Sequence, residues 1–350
     1  MLMHHVNKLC HRIQELTDNK AEFNIGAALS AFTRDVSLEY LLNTKYNNLD
    51  ELDFNEGLSS VLTRSGWLLR WSRYIPYLWV VLDKLPTKWM AHNTNGSMKS
   101  YYQYQQQNHA ILKTAMESFI PSTEETDENC NVLYKIMTAD IPTSHKTLPA
   151  LQSEVFIIAS AGFESTASVL RLIIFHIFSD RKILNQLRHE ISSALGTSDS
   201  PNLKSIEQLP YLTAVIMEGL RLSPGLATRL ARVSDKELIY KNWKIPAGVP
   251  VSMTTLHMHM DESIYPDPSH FNPERWMELE ARKTLEKTFA PFSRGTRICL
   301  GISLARAELY LLLAALVTRF DFVFPSAKAT DFECVRDDFV IVRRQQARYG

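Results

Sequence analysis

Apolar side chains recur at helical spacing over most of the chain. Val6, Leu9, Ile13 and Leu16 lie three or four residues apart, so the sequence opens in an amphipathic helix. The same spacing predicts further helices over 27–40, 58–71, 98–119, 151–178, 181–195, 211–222 and 303–319. The helix over 151–178 is the longest, and apolar residues lie nearly all round it, as expected of a helix buried in the centre of the fold.

The remaining segments read as short strands, turns and loops. Short strands are predicted at 238–240, 249–253, 320–324 and 339–342. A proline-rich meander covers 265–276, and the polar, acidic stretch 121–149 predicts a linker or exposed loop. With no internal repeat and no low-complexity tract, the pattern predicts a mainly α fold with small β-sheets, in a single domain over residues 1–350.

Composition argues against nucleic-acid partners, disulfide frameworks and zinc ribbons. The chain has 38 Lys and Arg against 38 Asp and Glu, so no basic field exists to hold a phosphate backbone and nucleic acid is not an expected partner. The four cysteines, Cys10, Cys130, Cys299 and Cys334, are far apart and form no C-x-x-C pair. This pattern suits a reducing compartment and predicts neither a disulfide framework nor a zinc ribbon.

The first twenty residues carry no targeting signal. Histidine, lysine and arginine side chains interrupt them, so they lack the apolar core of a signal peptide and the run of about 20 apolar residues that spans a bilayer. We therefore expect a chain that is soluble or that makes at most peripheral contact with a membrane surface.

Cys299 carries the clearest chemical signal. It lies just before the helix predicted over 303–319, where free N–H groups and the positive end of the helix dipole stabilise an anion. A thiolate held there is a soft ligand for iron. For an isolated cysteine, an ordinary buried residue in a helix-entry loop would be the better interpretation.

The neighbours of this cysteine favour the ligand. Gly295 and Gly301 remove side chains on both sides of it and let the backbone approach a flat cofactor closely. Arg297 would pair with a cofactor carboxylate, and Phe292 would cover the sulfur from water.

The spacing Phe292-x-x-Gly295-x-Arg297-x-Cys299-x-Gly301 resembles, position for position, the haem-binding signature of the cytochrome P-450 family, the haem-thiolate monooxygenases. The resemblance implies the fold of that family and a haem b, iron protoporphyrin IX, whose axial metal ligand is Cys299. Three further blocks follow the order of the family and extend the resemblance over essentially the whole chain.

One block is Glu218-Gly219-Leu220-Arg221 on a predicted helix. Its two charges are three residues apart and share a helical face, a pairing that alone is weak evidence. The resemblance implies a structural cluster of Glu218, Arg221 and Arg275 that holds the meander. The phenylalanine usual in the family after that arginine is Trp276 here.

A second block lies midway along the longest helix. Glycine at 162 costs up to about 1 kcal/mol in a helix interior, and a hydroxyl that bonds back to the preceding turn distorts a helix. The segment resembles the oxygen-activation motif of the family, which implies that Glu164 relays protons and that Ser165, usually threonine, holds water, with Thr166 as a substitute hydroxyl. Close packing of small residues is the alternative reading.

The third block follows Pro224. By its register with the family, Arg232 resembles an arginine that binds a haem propionate, and residues 226–228 would lie along the substrate pocket. An exposed arginine is the alternative for this position and for Arg229.

Two weaker patterns point elsewhere. His257 and His259 form an H-x-H pair that suggests metal, although no third ligand is apparent and a surface position is the simpler reading. Gly301-Ile302-Ser303 is similar to the nucleophile elbow of serine hydrolases, but the final glycine and the preceding strand are missing.

The resemblance implies a monooxygenase that inserts one atom of dioxygen into a small hydrophobic substrate. Electrons would come from a separate NADPH-dependent reductase, since the sequence has no flavin or nicotinamide fingerprint. The motifs are most similar to fungal microsomal members, which implies secondary metabolism at the endoplasmic reticulum membrane. Without an anchor in this chain, a cytoplasmic location is the alternative.

The chain also departs from the family, because it begins after the membrane anchor and the β-rich N-terminal portion that members ordinarily have. We therefore expect a domain that is incomplete at the N-terminus. Two other functions stay open: a non-catalytic fragment that binds haem weakly or not at all, and a haem-thiolate isomerase or dehydratase.

Overall fold

The computed structural model describes residues 1–64, 66–72, 74–75, 77–78, 96–117, 119, 131–195, 202–226, 228–338 and 340–343. Over these residues the protein is mainly helical. The helices, in chain order, are α1 (Leu2–Asp18), α2 (Ile25–Leu42), α3 (Glu56–Arg64), α4 (Gly66–Trp71), α5 (Gly96–Glu117), α6 (Val132–Thr138), α7 (Leu148–Ser179), α8 (Arg181–Leu195), α9 (Leu203–Ile206), α10 (Pro210–Leu222), α11 (Thr255–His259), α12 (Leu279–Leu285) and α13 (Ile302–Arg319). Single 3₁₀ turns lie at Asn48–Asp50, Thr143–Lys146, Pro273–Trp276, Gly295–Arg297 and Ala329–Phe332.

The β-structure consists of antiparallel two-stranded ladders. The strands are β1 (Arg232–Val233), β2 (Leu238–Tyr240), β3 (Trp243–Ile245), β4 (Pro250–Val251), β5 (Cys334–Asp338) and β6 (Val340–Arg343). The pairs are β1 with β4, β2 with β3, and β5 with β6. β1 and β4 pair Arg232 with Val251, and β2 and β3 form a hairpin in which Tyr240 pairs with Trp243.

Helix α7 forms the centre of the fold. It begins with a proline in its first turn, where the missing N–H costs nothing, and its 32 residues give it a length of about 48 Å. α2, α10 and α13 all pack against it, and α2 has the most extensive contact with it. By length and composition it is the one described helix that could cross a membrane, and half of its most apolar window is buried inside the fold.

The smallest of three apolar clusters among the described residues lies beside the main core. It consists of Ala214, Tyr265, Trp276 and Leu285, with Phe289 packed against them. The 3₁₀ turn Pro273–Trp276 and α12 both contact this region, so the meander is anchored to α10 by apolar burial.

The expected helices are all present, and four short helices, α6, α9, α11 and α12, were not expected. The segment expected as a helix over 58–71 contains α3 and α4, with residue 65 between them outside the described residues, and the loop expected over 121–149 contains α6. Helix α6 begins where the side chain of Asn131 accepts a hydrogen bond from the backbone N–H of Tyr134, at 2.8 Å. That cap satisfies a free donor at the first turn, which a reading based on acidic composition overlooks.

The strand expected over 320–324 is wrong. Phe320, Phe322 and Phe324 recur at every second position, as in a strand, but the segment has no ladder partner among the described residues. Its rings pack on the end of the core instead; Phe322 lies edge-on to Phe178, with ring centroids 4.9 Å apart. The strand expected over 339–342 is confirmed as β6, which pairs with β5.

Candidate functional site

A buried ionic cluster anchors the meander. Arg221 donates two hydrogen bonds to the Glu218 carboxylate, at 2.9 and 2.8 Å, and both side chains are fully buried. Arg275 donates to the same carboxylate at 3.1 Å, and so does the backbone N–H of Asn272, at 3.0 Å. A buried carboxylate is tolerated only when it is paired and hydrogen-bonded in this way. The three charged residues predicted to cluster therefore do so.

Trp276 belongs to this cluster, which sequence reasoning missed. Its indole N–H donates to Glu218 Oε2 at 2.9 Å, and its side chain is buried. The tryptophan that stands where the family usually has phenylalanine thus supplies a further donor to the carboxylate. The requirement of a buried indole N–H for a partner is the signal that could have indicated this.

His259 connects the cluster to the segment that precedes the cysteine loop. Its Nε2 accepts a hydrogen bond from the backbone N–H of Ala290 at 3.1 Å, and its Nδ1 donates to the carbonyl of Arg221 at 3.1 Å. The ring stacks on Phe289, with centroids 5.5 Å apart. Burial lowers the pKa of His259 to about 4, so the ring is neutral and both nitrogens are engaged. Among the described residues, no group of three metal-ligating side chains surrounds the H-x-H pair of His257 and His259.

The cysteine loop is a tight turn that ends at α13. The backbone N–H of Cys299 donates to the carbonyl of Phe292 at 2.9 Å, which closes the loop around the 3₁₀ turn Gly295–Arg297. Gly295 has a φ of +78°, a conformation that only glycine adopts without strain. Gly301 is the N-cap residue of α13, so the thiol lies at the N-terminal end of that helix.

One face of the loop is open and apolar. The Cys299 side chain is exposed, and its neighbours Ile298 and Leu300 are 48% and 84% exposed. A Cβ added to Gly295 or to Gly301 would meet no atom within 4 Å. A soft sulfur donor on an open apolar face fits a flat, largely apolar group such as a porphyrin, and it does not fit the interior cysteine that was the alternative.

Arginines lie at the edge of this face. Arg232, at the start of β1, donates to the hydroxyl of Ser293 at 3.4 Å, so the structure brings it to the loop. Arg297 is exposed within the loop itself. Arg229 is also exposed. Residue 227 of the predicted pocket segment 226–228 lies outside the described residues, while Leu226 is half-buried and Thr228 is buried.

The candidate proton-delivery residues lie on two different faces of α7. Ser165 is half-buried, and its hydroxyl donates to the carbonyl of Ala161 one turn earlier, at 2.7 Å. It faces the segment after α10, since a Cβ added to Gly225 would lie 3.5 Å from the Ser165 Cβ.

Ser303, the hydrolase alternative, lies in the first turn of α13 after a 3₁₀ turn rather than a strand, so it is not on a nucleophile elbow.

Glu164 points away from Ser165 and towards α2. Its Oε2 forms an ion pair with Arg171 at 2.9 Å, in a site that is almost completely buried. Burial alone would raise the pKa of Glu164, but the charges of Arg171 and Arg34 and the hydrogen bonds from Arg171 and Ser30 lower it below its usual value. The carboxyl is therefore an anion at neutral pH.

Thr166 contacts a second acid. It is buried beside Glu308 on α13, a fully buried carboxyl whose pKa burial raises well above its usual value. Sequence reasoning missed Glu308, Arg171 and Arg34. The position of the polar residues within otherwise apolar helices was the available signal.

Close packing between α2 and α7 explains why glycine occupies position 162. A Cβ added there would lie 2.5 Å from the hydroxyl of Ser37 on α2, so the glycine permits α2 to approach α7 closely. This is the alternative that the sequence left open for the small residues of this segment.

Comparisons with known proteins agree with this geometry. The family model for cytochrome P450 matches residues 2–345. The chain is 32% identical over 326 residues to the cytochrome P450 monooxygenase MO6277 of Ascocoryne sarcoides, covering 90% of this chain and 63% of that protein. It is 30% identical over 352 residues to the N-acetyltryptophan 6-hydroxylase ivoC of Emericella nidulans, covering 99% of this chain and 68% of that protein.

A crystal structure of a cytochrome P450, CYP102L1, has the same fold, with a TM-score of 0.70 at 20% identity over 93% of this chain and 69% of that one. The chain therefore spans about two thirds of the length of these proteins. The family model matches the chain almost from end to end, and an exposed cysteine lies in a loop that the carbonyl of Phe292 closes. The chain therefore belongs to the cytochrome P450 family.

Proposed function

We propose that the protein is a haem-thiolate monooxygenase that inserts one oxygen atom of dioxygen into a small hydrophobic substrate. The observation that carries the proposal is the exposed thiol of Cys299 at the N-terminal end of α13, on an open apolar face. The cofactor of the family is haem b with a cysteine thiolate as axial ligand. When bound, it supplies the activation of dioxygen.

Cys299 would hold the iron, and its surroundings suit that role. Phe292, half-buried beside it, would limit the access of water to the sulfur. Gly295 and Gly301 would leave room for the flat ring.

Arg232 and Arg297 would bind the carboxylates at the edge of the haem. Both are exposed at or beside the loop, and a guanidinium can donate two parallel hydrogen bonds to a carboxylate.

Glu164, Ser165 and Thr166 would organise proton delivery. Glu164 is an anion that can take up a proton, while the half-buried Ser165 lies on α7 next to the segment after α10. Positioned acid–base groups of this kind contribute about 10²–10⁴-fold to rate.

The partners and location follow from the family and its fungal members. We expect an NADPH-dependent reductase as the electron donor, and the endoplasmic reticulum membrane, with peripheral contact, as the location; a cytoplasmic location is the alternative. The relatives include a hydroxylase of N-acetyltryptophan, which supports a small, partly apolar substrate from secondary metabolism.

A carbon monoxide difference spectrum of the reduced, haem-loaded protein tests the proposal. We expect a red-shifted Soret band in the wild type and in Cys334→Ala, a matched change at a half-buried cysteine elsewhere. Cys299→Ala should lose that band. A band that survives Cys299→Ala would overturn the assignment of the ligand.

The same spectrum tests the second candidate, a fragment that binds haem weakly or not at all. No haem uptake by folded wild type would support it. An isomerase or dehydratase would turn over substrate without reductase and dioxygen.

A further inference from the structure

The C-terminal hairpin places an arginine in the core of the fold. In β6, Arg343 pairs with Cys334 of β5, and it is only 6% exposed. The β5 residues Val335, Arg336 and Asp337 are exposed, so the hairpin itself lies at the surface. An arginine is almost never fully buried unless its donors find acceptors. The bonds of Arg343 therefore show what this side chain holds in place.

The Arg343 guanidinium bonds three separate segments. Its Nη1 donates to the carbonyl of Phe332 at 2.5 Å, in the turn before β5. Its Nη2 donates to the Ser168 hydroxyl on α7 at 2.9 Å and to the Ser223 hydroxyl at the end of α10 at 2.6 Å. The planar guanidinium fixes the directions of its donors, so one side chain sets the distance between α7 and the end of α10.

The chain turns sharply directly after this contact. Ser223 is the C-cap residue of α10, and the ring of the next residue, Pro224, restricts its backbone φ. The N–H of Leu226 donates to the carbonyl of Pro224 at 2.8 Å, and Gly225 between them has a φ of +73°, which together describe a γ-turn. The segment 223–226 is therefore short and stiff, and a displacement of Ser223 also displaces Leu226.

The γ-turn lies against the face of α7 that carries Ser165. A Cβ added to Gly225 would lie 3.5 Å from the Cβ of Ser165, which is ordinary van der Waals contact. Ser168 follows Ser165 by three residues and therefore lies on the same face of α7, about one turn further along. The bonds of Arg343 thus hold α7 and the segment 223–226 together about one turn from Ser165.

An apolar side chain could fill the same place as the arginine. Burial lowers the pKa of Arg343 to about 10, so the guanidinium is charged at neutral pH and its burial costs stability. A methionine of similar length would avoid this cost, but it would donate no hydrogen bond to Ser168 or Ser223. What the arginine adds is a fixed geometry at this junction.

We propose that Arg343 is a positioning residue that holds the segment 223–226 at a fixed distance from Ser165 and so sets how a substrate is oriented beside it. The proposal rests on the proposed function, and on the expectation that Leu226 and Thr228 lie along the substrate pocket. Arg343 acts through this segment and does not itself touch the substrate.

Hydrogen–deuterium exchange of the protein, with or without haem, tests whether the segment is held. In Arg343→Met and in Ser223→Ala we expect the amides of residues 223–226 to exchange about fivefold faster than in the wild type, because the segment opens more often once its anchor is lost. Ser223→Ala removes one bond and keeps the hairpin bonded to Ser168, so it serves if Arg343→Met does not fold. Unchanged exchange of these amides in Ser223→Ala would overturn the proposal.

The matched control is Arg188→Met. Arg188 also donates to backbone carbonyls, those of Val317 and Phe320, but it holds the other end of α13 and not the segment after α10. We expect exchange over 223–226 in this variant to equal that of the wild type.

Binding of two imidazoles to the haem-loaded protein, followed by its absorption spectrum, tests the pocket. Both ligands bind iron through a ring nitrogen, but only 4-phenylimidazole carries a ring that needs an ordered pocket. In Ser223→Ala we expect the Kd of 4-phenylimidazole to rise about fivefold, which is about 1 kcal/mol, and that of imidazole to stay as in the wild type. Arg343→Lys, which keeps the charge, should recover part of the rise seen in Arg343→Met. A merely structural role would lower the free energy of unfolding and leave the ratio of the two Kd values unchanged.

The outcomes separate this proposal from the proposed function. If the wild type takes up no haem, the proposed function fails, and the exchange measurement still decides whether Arg343 holds the segment. If haem binds and the ratio of the two Kd values is the same in Ser223→Ala as in the wild type, Arg343 does not position the substrate, while the proposed function stands.

Discussion

Trp276→Phe should lower the free energy of unfolding by about 3 kcal/mol. The indole N–H donates to the buried Glu218 carboxylate at 2.9 Å, and a hydrogen bond to a charged group is worth about 1.5–3 kcal/mol. We take about 2 kcal/mol, because Glu218 keeps its bonds from Arg221 and Arg275. The smaller ring also leaves a void next to Phe289, whose ring centroid is 5.0 Å from that of Trp276; this adds about 1 kcal/mol.

Urea unfolding followed by circular dichroism measures the difference. The matched control is Trp243→Phe, since Trp243 is 73% exposed in the β2–β3 hairpin and should change the free energy of unfolding by about 0.5 kcal/mol or less. Equal unfolding midpoints for the two variants, with unchanged slopes, would show that the indole bond contributes nothing and that our account of the cluster is wrong.

Three further predictions follow from burial and packing. Burial lowers the pKa values of His259 and His176 to about 4, so the folded state binds fewer protons than the unfolded state. The free energy of unfolding should therefore fall as the pH drops from about 6.5 towards 4, by up to about 3 kcal/mol for His259. Urea unfolding midpoints at pH 7 and pH 5 check this. A midpoint that does not change would contradict it. Gly219→Ala should cost about 1–3 kcal/mol, because the new Cβ would overlap Ile173, and Ile173→Ala in the same chain should recover part of the loss in a double-mutant cycle. Gly301→Ala, whose Cβ would meet nothing within 4 Å, should leave the thermal midpoint unchanged but reduce haem uptake in titrations; unchanged uptake would show that the cofactor does not approach this residue.

Much of the fold could be predicted because helical periodicity is a local signal. The helix over Arg181–Leu195 begins and ends where the spacing placed it, and α7 extends only a few residues beyond its expected bounds. The segment 320–324 shows the limit of this approach. Alternating phenylalanines describe which side is buried, but a strand also needs a neighbouring strand, and that depends on the tertiary fold.

One part of the candidate site could likewise be predicted from the sequence, and another part could not. The Cys299 loop could be read from the sequence because its chemistry lies within ten residues. The surroundings of Glu164 could not, because Arg34 and Ser30 come from α2, more than a hundred residues earlier. A sequence motif specifies that an acid is present, whereas its charge state depends on the side chains that tertiary packing brings to it.

The small core around Trp276 has a consequence for how the protein is made. Its members lie between Ala214 and Phe289, and the ionic cluster between Glu218 and Trp276, so every side chain of both precedes Cys299 in the chain. During synthesis from the N-terminus, all parts of the support are therefore available before the thiol leaves the ribosome. In that order of events the cysteine loop follows a support whose own side chains are already present in the chain.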